Sequence, residues 1–487
     1  MLKKEKPLYL LLALVGIINF LSMPGELYTG DPYAWRNEAR SIINHGSLNI
    51  DSGIASSRGE HGQFYTFNEN NGKWYSKYGV MNGIINTIPV LVEKMMPKKL
   101  RAVLKTPELL ILNWFFWGLG LIIAFLLYRI TQVFSSNPAA NIAYVLLTFY
   151  STFTWNYLRT HNSESTQLLF FLLFFLFLSR VIETRSTVLR PILLCWLSLS
   201  LLVFTKISFL ILIPIFSGIL LWPVFSQRRD QIFWFAMRTI LLPAWLIIYA
   251  LWAVNVVKFG HPLLTGYHQW RPEIHGLNGS LWEGVYGFLF SEQRSIFIHF
   301  PILIFAMLGF PHFYRRYKAV SLSILLIFLV FFFTIAKLPS WRGEWCYGPR
   351  YLLFILPTLG LPCVTVLNNI FRFQANLKMI TQLSLIFIIC AISTFAQIQV
   401  NHLPFFFRYS VQPNNLITNE IAREYFSTRH FARINFDFIK VKSDIDRLRA
   451  LDFFKAMESL SSPHVVEAYR NKVREKLANR NYYWFRK

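Results

Sequence analysis

Long apolar runs separated by polar segments dominate residues 8–397. The runs fall at 8–23, 108–130, 138–157, 165–183, 189–204, 207–225, 232–257, 296–313, 319–337, 348–368 and 377–397. A bilayer crossing takes about 20 apolar residues in a helix. The pattern therefore predicts an all-α polytopic membrane protein with roughly eleven transmembrane helices. The runs 189–204 and 207–225 are short, and one broken helix is the alternative for that pair.

The polar segments alternate in character. One set is short and basic: Lys3, Lys4 and Lys6; Arg129; Arg180, Arg185 and Arg190; Arg228 and Arg229; Arg315, Arg316 and Lys318; Arg372 and Lys378. By the positive-inside rule this is the cytoplasmic side. The other set (24–107, 158–164, 205–206, 258–295, 338–347 and the tail from about 398) mixes acids, His, Trp, Tyr and Gly. An odd number of crossings puts the N-terminus inside and the tail outside. The chain divides into a membrane module, 1–397, and a helical extracytoplasmic tail, 398–487, with helices expected over 443–460 and from Ser462-Pro463 onward.

The first outer loop, 24–107, carries its own elements. Asp31-Pro32 reads as a helix N-cap followed by proline at the first helical position. That helix should end at His45, before Gly46. The apolar stretch 83–96 is too short to cross and stops at Pro97, which suits a juxtamembrane helix lying in the interface. The segment between them is rich in Gly, Ser, Asn and Tyr.

Composition supports this picture. The 487 residues are 54% hydrophobic and 17% aromatic, which excludes a soluble domain of this size. The net charge of +24 would suggest nucleic acid in a soluble protein. Here much of it is orientation signal and contact with membrane lipids, and no basic helix with interleaved aromatics points to a nucleic-acid partner. No small-residue cleavage pattern follows run 8–23, so it reads as a retained span. Cys195, Cys363 and Cys390 lie in apolar runs and Cys346 in a loop. They form neither a disulfide framework nor a zinc spacing, and no metal or cofactor motif stands out.

Asp31, Glu38, Lys77, His161, Glu164, Lys206, Arg294, Glu344 and Arg350 all fall at or near outer ends of the runs. Ionisable groups there are costly unless paired or facing water, so a polar cavity at the outer face is expected. An acid among several cations suits a phosphate-bearing ligand, with cations on the phosphate and the acid as base. Plainer roles stand beside these. Asp31 serves equally as an N-cap. Glu38, two turns on, either assists it or is an exposed helix acid. Lys77 could be an interfacial anchor. His161 with Glu164, Glu292 with Arg294, and Glu344 with Arg350 could be local pairs. Lys206, between two apolar runs, is explained by no orientation rule.

Gly30-Asp31-Pro32-Tyr33, Tyr75-Ser76-Lys77-Tyr78-Gly79, Thr154-Trp155-Asn156-Tyr157 through His161 and Glu164, and Gly287 through Arg294 occur in this order on one side. So does Trp341-Arg342-Gly343-Glu344-Trp345-Cys346-Tyr347-Gly348-Pro349-Arg350-Tyr351. Together they resemble the GT-C superfamily of polytopic glycosyltransferases, which includes protein O-mannosyltransferases and the aminoarabinose transferases of lipid A. The resemblance covers roughly residues 1–400. Two departures are Pro32, where many members have a second acid, and Gly79-Val80-Met81, where a proline pair often follows the lysine. The resemblance implies a polyprenyl-phosphate sugar donor, a hexosyl or pentosyl group transferred with inversion, and a lipid, glycan or protein acceptor. It implies Asp31 as general base and Lys77, Lys206, Arg294 and Arg350 around the leaving phosphate. Tyr78, His161, Glu164, Glu344 and Tyr347 become further substrate contacts, and Glu38 an assisting acid. A bacterial inner membrane fits the absence of an ER-retention signal. Two rivals remain: an oligosaccharide ligase or polymerase using pyrophosphate-linked donors, and a membrane transporter or flippase. Ligases more often depend on a large outer loop rich in Arg and His; transporters usually carry repeats and helices broken at the midplane.

Overall fold

A computed structural model describes residues 2–24, 31–56, 64–104, 106–183, 188–221, 229–270, 276–291, 294–343, 346–371 and 377–402. Glu344, Glu292 and the expected tail helices lie outside the described residues.

The chain is mostly helical, and every predicted apolar run contains helix. Four helices are long and apolar enough to cross a membrane: Pro107–Phe134, Ser163–Ile182, Phe233–Phe259 and Lys318–Ala336. Other runs are interrupted for visible reasons. The 348–368 run holds Gly348, Pro349, Pro357 and Pro362 and breaks into Arg350–Leu352, Leu356–Leu359 and Cys363–Phe371, since proline removes a helical donor and clashes with the preceding turn. The 138–157 run stops at Tyr150 and resumes as the short helix Thr154–Arg159. A break falls at Lys206, between the Leu189–Thr205 helix and a 3₁₀ turn, Ile207–Ile211.

Phenylalanine fills the interior. Phe171, Phe174, Phe209, Phe216 and Phe354 are all buried and meet mostly edge to face, as with Phe209 and Phe354 at 4.9 Å. Such pairs prefer this geometry because ring edges are positive and faces negative.

The first outer loop has helix α1 (Leu2–Leu21) on one side and Pro107–Phe134 on the other. Helix α2 runs Asp31–His45 and Gly46 follows at φ 60°, in the left-handed region. A short helix α3 (Ser52–Ser56) and helix α4 (Val80–Met95) complete its principal helices. Ile84, Ile88, Leu91, Val92 and Met95 of α4 are exposed, so that its outward face is apolar. The Gly/Ser/Asn/Tyr-rich segment adds strand structure to the helical plan. Strands β1 (Asn49–Ile50), β2 (Tyr65–Asn68) and β3 (Lys73–Ser76) form an antiparallel sheet in the order β1-β3-β2. Gly72, at φ 68°, lets the chain turn, and Phe67 pairs with Trp74 across the strands at 5.1 Å.

Two sets of contacts fix this loop on the bundle. Arg36 of α2 donates to Glu93 of α4 at 2.6 Å and to Glu108 of the Pro107–Phe134 helix at 2.7 Å. The β2–β3 turn caps the Leu242–Phe259 helix: Asn68 donates to the Val257 carbonyl at 3.0 Å and Asn70 to the Gly260 carbonyl at 3.0 Å. Terminal helix carbonyls have no partner within their own helix, so the turn satisfies them and is anchored by them.

The segment 77–79 leaves β3 through a tight passage. A Cβ at Gly79 would run into the carbonyl oxygens of Phe204 and Thr205. A Cβ at Gly266 would run into the backbone of Lys77. Asn82 donates to the Thr205 carbonyl at 3.2 Å. Gly79→Ala is therefore expected to destabilise the protein by about 1–3 kcal/mol, the usual range for overpacking. A thermal melt in detergent with an unchanged midpoint would refute the close approach.

Candidate active site

Asp31 is the first residue of α2, half-buried, and its Oδ1 accepts a hydrogen bond from the Tyr78 hydroxyl. Burial, and after it the Asp31 carboxylate, holds that hydroxyl well above the usual phenol range, so Tyr78 stays a donor. Tyr267 follows the same direction for the same two causes. Lys77 is buried among three rings, with Nζ 5.2 Å from the Tyr78 centroid, 5.7 Å from Tyr267 and 5.8 Å from Phe64. Ring faces attract a cation at this range.

Lys206 caps the C-terminus of Leu189–Thr205, where the helix dipole favours a cation. Its Nζ lies 4.1 Å from the Tyr351 ring centroid. Burial pushes its ammonium down to about 8, opposed by Glu164 and then disfavoured further by Arg350. Glu164, in the first turn of Ser163–Glu183, pairs with Arg350 at 3.7 Å. Asp31 and Cys346 also act on Lys206. Asp31, Lys77, Tyr78, Glu164, Lys206 and Arg350 thus gather at one locus, although they come from five separate stretches of chain.

The remaining sequence candidates hold the surroundings. His161 lies in the Thr160–Asn162 turn, and burial pushes it down to about 3. Its neutral ring meets the Asn113 side-chain oxygen at 2.8 Å, rather than pairing with Glu164. Nδ1 of His161 has no hydrogen-bond partner among the described residues. Arg294 donates to the Arg342 carbonyl at 2.6 Å and so braces the loop that leads to Arg350. Tyr347 is buried, with its hydroxyl accepting from Gln397 at 3.0 Å and its ring edge-on to His299 at 4.9 Å. Glu38 is fully buried against Lys258 at 2.6 Å, not exposed on α2. Burial pushes its carboxyl up to about 7, with Lys258 opposing.

A small cleft opens beside the locus. Lys77, Tyr78, Lys206 and Tyr267 are among its polar lining residues and Val203, Phe204, Ile207, Leu251 and Val254 among the apolar ones; Lys258 also lines it, with its Nζ held by Glu38 and the Tyr78 carbonyl. Tyr267 and Lys258 were not singled out from the sequence. Lys258 had a readable signal, a lysine at the outer end of an apolar run where orientation rules place none. Among the described residues no group of three His, Cys, Asp or Glu side chains is placed to hold a metal ion.

Titrating Lys206 with a small amine-reactive reagent should give half-maximal labelling near pH 8, below the ordinary lysine value. Glu164→Gln should move that midpoint lower, because the carboxylate favours the charged amine. A midpoint unmoved by Glu164→Gln would contradict the geometry.

No family model and no curated protein match the sequence. Solved structures do. The oligosaccharyltransferase of Archaeoglobus fulgidus in its apo form superposes with a TM-score of 0.53 at 11% identity, over 91% of this chain and 60% of that protein. The same enzyme tethered to an acceptor peptide containing the NVT sequon gives 0.53 at 12% identity, with the same coverage. ArnT from Cupriavidus metallidurans bound to undecaprenyl phosphate gives 0.47 at 11%, over 95% of this chain and 74% of that one. The chain therefore spans about 60% of the archaeal enzyme's length. The likeness to the archaeal enzyme, together with the apolar helices, shows an integral membrane protein with the GT-C fold.

Proposed function

We propose that this chain is an inverting glycosyltransferase that moves a sugar from a polyprenyl-phosphate donor to an acceptor at the extracytoplasmic face. The observation that carries this reading is Asp31 held by Tyr78, a residue that lines a cleft together with Lys77, Lys206 and the apolar Val203, Phe204 and Ile207. The donor's chain would lie along Val203, Phe204, Ile207, Leu251 and Val254. Its phosphate would meet Lys77 and Lys206, with Arg350 close by.

In the proposed step, an acceptor hydroxyl gives its proton to the Asp31 carboxylate. Its oxygen forms the new bond to the anomeric carbon as the bond from that carbon to the phosphate oxygen breaks. The electron pair leaves with the phosphate. Cations fixed where that charge grows stabilise the transition state. Tyr78 orients Asp31 and remains protonated. Eleven crossings, a cytoplasmic N-terminus and a bacterial inner membrane belong to this reading, as do the extracytoplasmic tail and single displacement with inversion.

A second reading, transfer of a whole oligosaccharide, is favoured by one observation: the superposed archaeal protein is an oligosaccharyltransferase. Mass spectrometry of lipid retained in mild detergent separates the two. A polyprenyl monophosphate, bare or with one sugar, supports single-sugar transfer, and a pyrophosphate-linked glycan supports the second reading. Ordinary phospholipid alone at high occupancy would reject both.

Asp31→Asn should lower turnover by about 10²–10⁴-fold, the contribution of a positioned base, with expression and lipid binding intact. Near-normal turnover would remove Asp31 from that role. A cysteine-accessibility scan should label 260–290 from outside and 180–190 and 226–230 from inside; the reverse pattern would put the cleft on the wrong side of the membrane.

A further inference from the structure

The Lys258–Glu38 pair is the most deeply buried ion pair among the described residues, with side chains 1% and 0% exposed. Lys258 is the next-to-last residue of the Leu242–Phe259 helix, whose other faces are largely exposed. Its chain turns inward and joins two groups. Nζ donates to Oε1 of Glu38 at 2.6 Å and to the main-chain carbonyl of Tyr78 at 2.8 Å. Buried pairs of this kind contribute little net stability once desolvation is counted. What this one supplies is direction.

Two bonds join α2 to residue 78. At the helix start, Asp31 accepts from the Tyr78 hydroxyl. Seven residues on, about 10 Å along the helix, Glu38 holds the lysine that donates to the Tyr78 carbonyl. The two ends of one tyrosine are thus tied to two points on one helix face. The ring between them rests edge-on against Trp35 at 5.7 Å and Tyr267 at 6.2 Å. Gly83 lets α4 approach, since a Cβ there would strike the Glu38 carboxylate.

We propose that Lys258, held by Glu38, is a positioning residue: by fixing the main chain of Tyr78 it sets the tyrosine hydroxyl on the Asp31 carboxylate. Its meaning for turnover rests on the reading of Asp31 as base, whereas the positioning itself is read without substrate.

The test introduces 3-fluorotyrosine at position 78 of the full chain in detergent and records its ¹⁹F resonance. Asp31→Asn provides the reference for a phenol that has lost its carboxylate. The double variant Glu38→Gln, Lys258→Met keeps the buried site neutral and similar in volume. Its resonance is expected to move more than halfway from the wild-type position to the Asp31→Asn position. Lys258→Arg keeps a charged donor and should stay near wild type. A folded double variant whose resonance coincides with wild type overturns the proposal; so does an Asp31→Asn variant that does not move it. If the double variant fails to fold, Glu38→Gln, Lys258→Gln is read in the same way. Undecaprenyl phosphate binding by the wild type, measured on the same sample, is a separate readout. Its failure would count against the transferase reading and leave the ¹⁹F result standing.

Discussion

The locus depends on how little room surrounds residues 77–79. That segment passes between the C-terminal ends of Leu189–Thr205 and Leu242–Phe259, with Gly266 against its side. At Gly79 and Gly266 backbone meets backbone, and only glycine permits that approach. Lys77 is therefore delivered to its ring cage by main-chain packing, and Tyr78 to Asp31 by the same means. Gly79 is the residue this passage requires.

Low dielectric then sorts the charges. A buried charge must be paired or it neutralises. Arg36 is spent on Glu93 and Glu108, and Lys258 on Glu38 and a carbonyl. Both hold α2 in register with the bundle. Lys206 is favoured in its charged form by Glu164 and then by Asp31, and Arg350 pairs with the same Glu164. The division between framework cations and cleft cations follows from where each side chain finds an acid.

The β2–β3 turn links these two levels. Its asparagines cap the helix that carries Lys258, while its last strand leads directly into Lys77. One short sheet thus sets the positions of a framework lysine and a cleft lysine together.

The apolar periodicity, the one-sided arginines, the proline after Asp31 and the run ending at Pro97 determined much by themselves. Helix content, α2 with its end at Gly46, and the helical character of α4 follow from local propensity and from the length of apolar runs, which act over a few turns. The Asn71-Gly72 turn carried a hairpin signal too, but its short strands were masked by polar residues. The choice among the charged residues was decided only by tertiary structure. Sequence spacing suggested His161 with Glu164 and Glu38 on an exposed face; folding set Glu164 on Arg350, His161 on Asn113 and Glu38 on Lys258. The reason is that a buried polar or charged group takes whichever partner the packed backbone brings within about 4 Å, and those partners lie from 48 to 220 residues away in the chain.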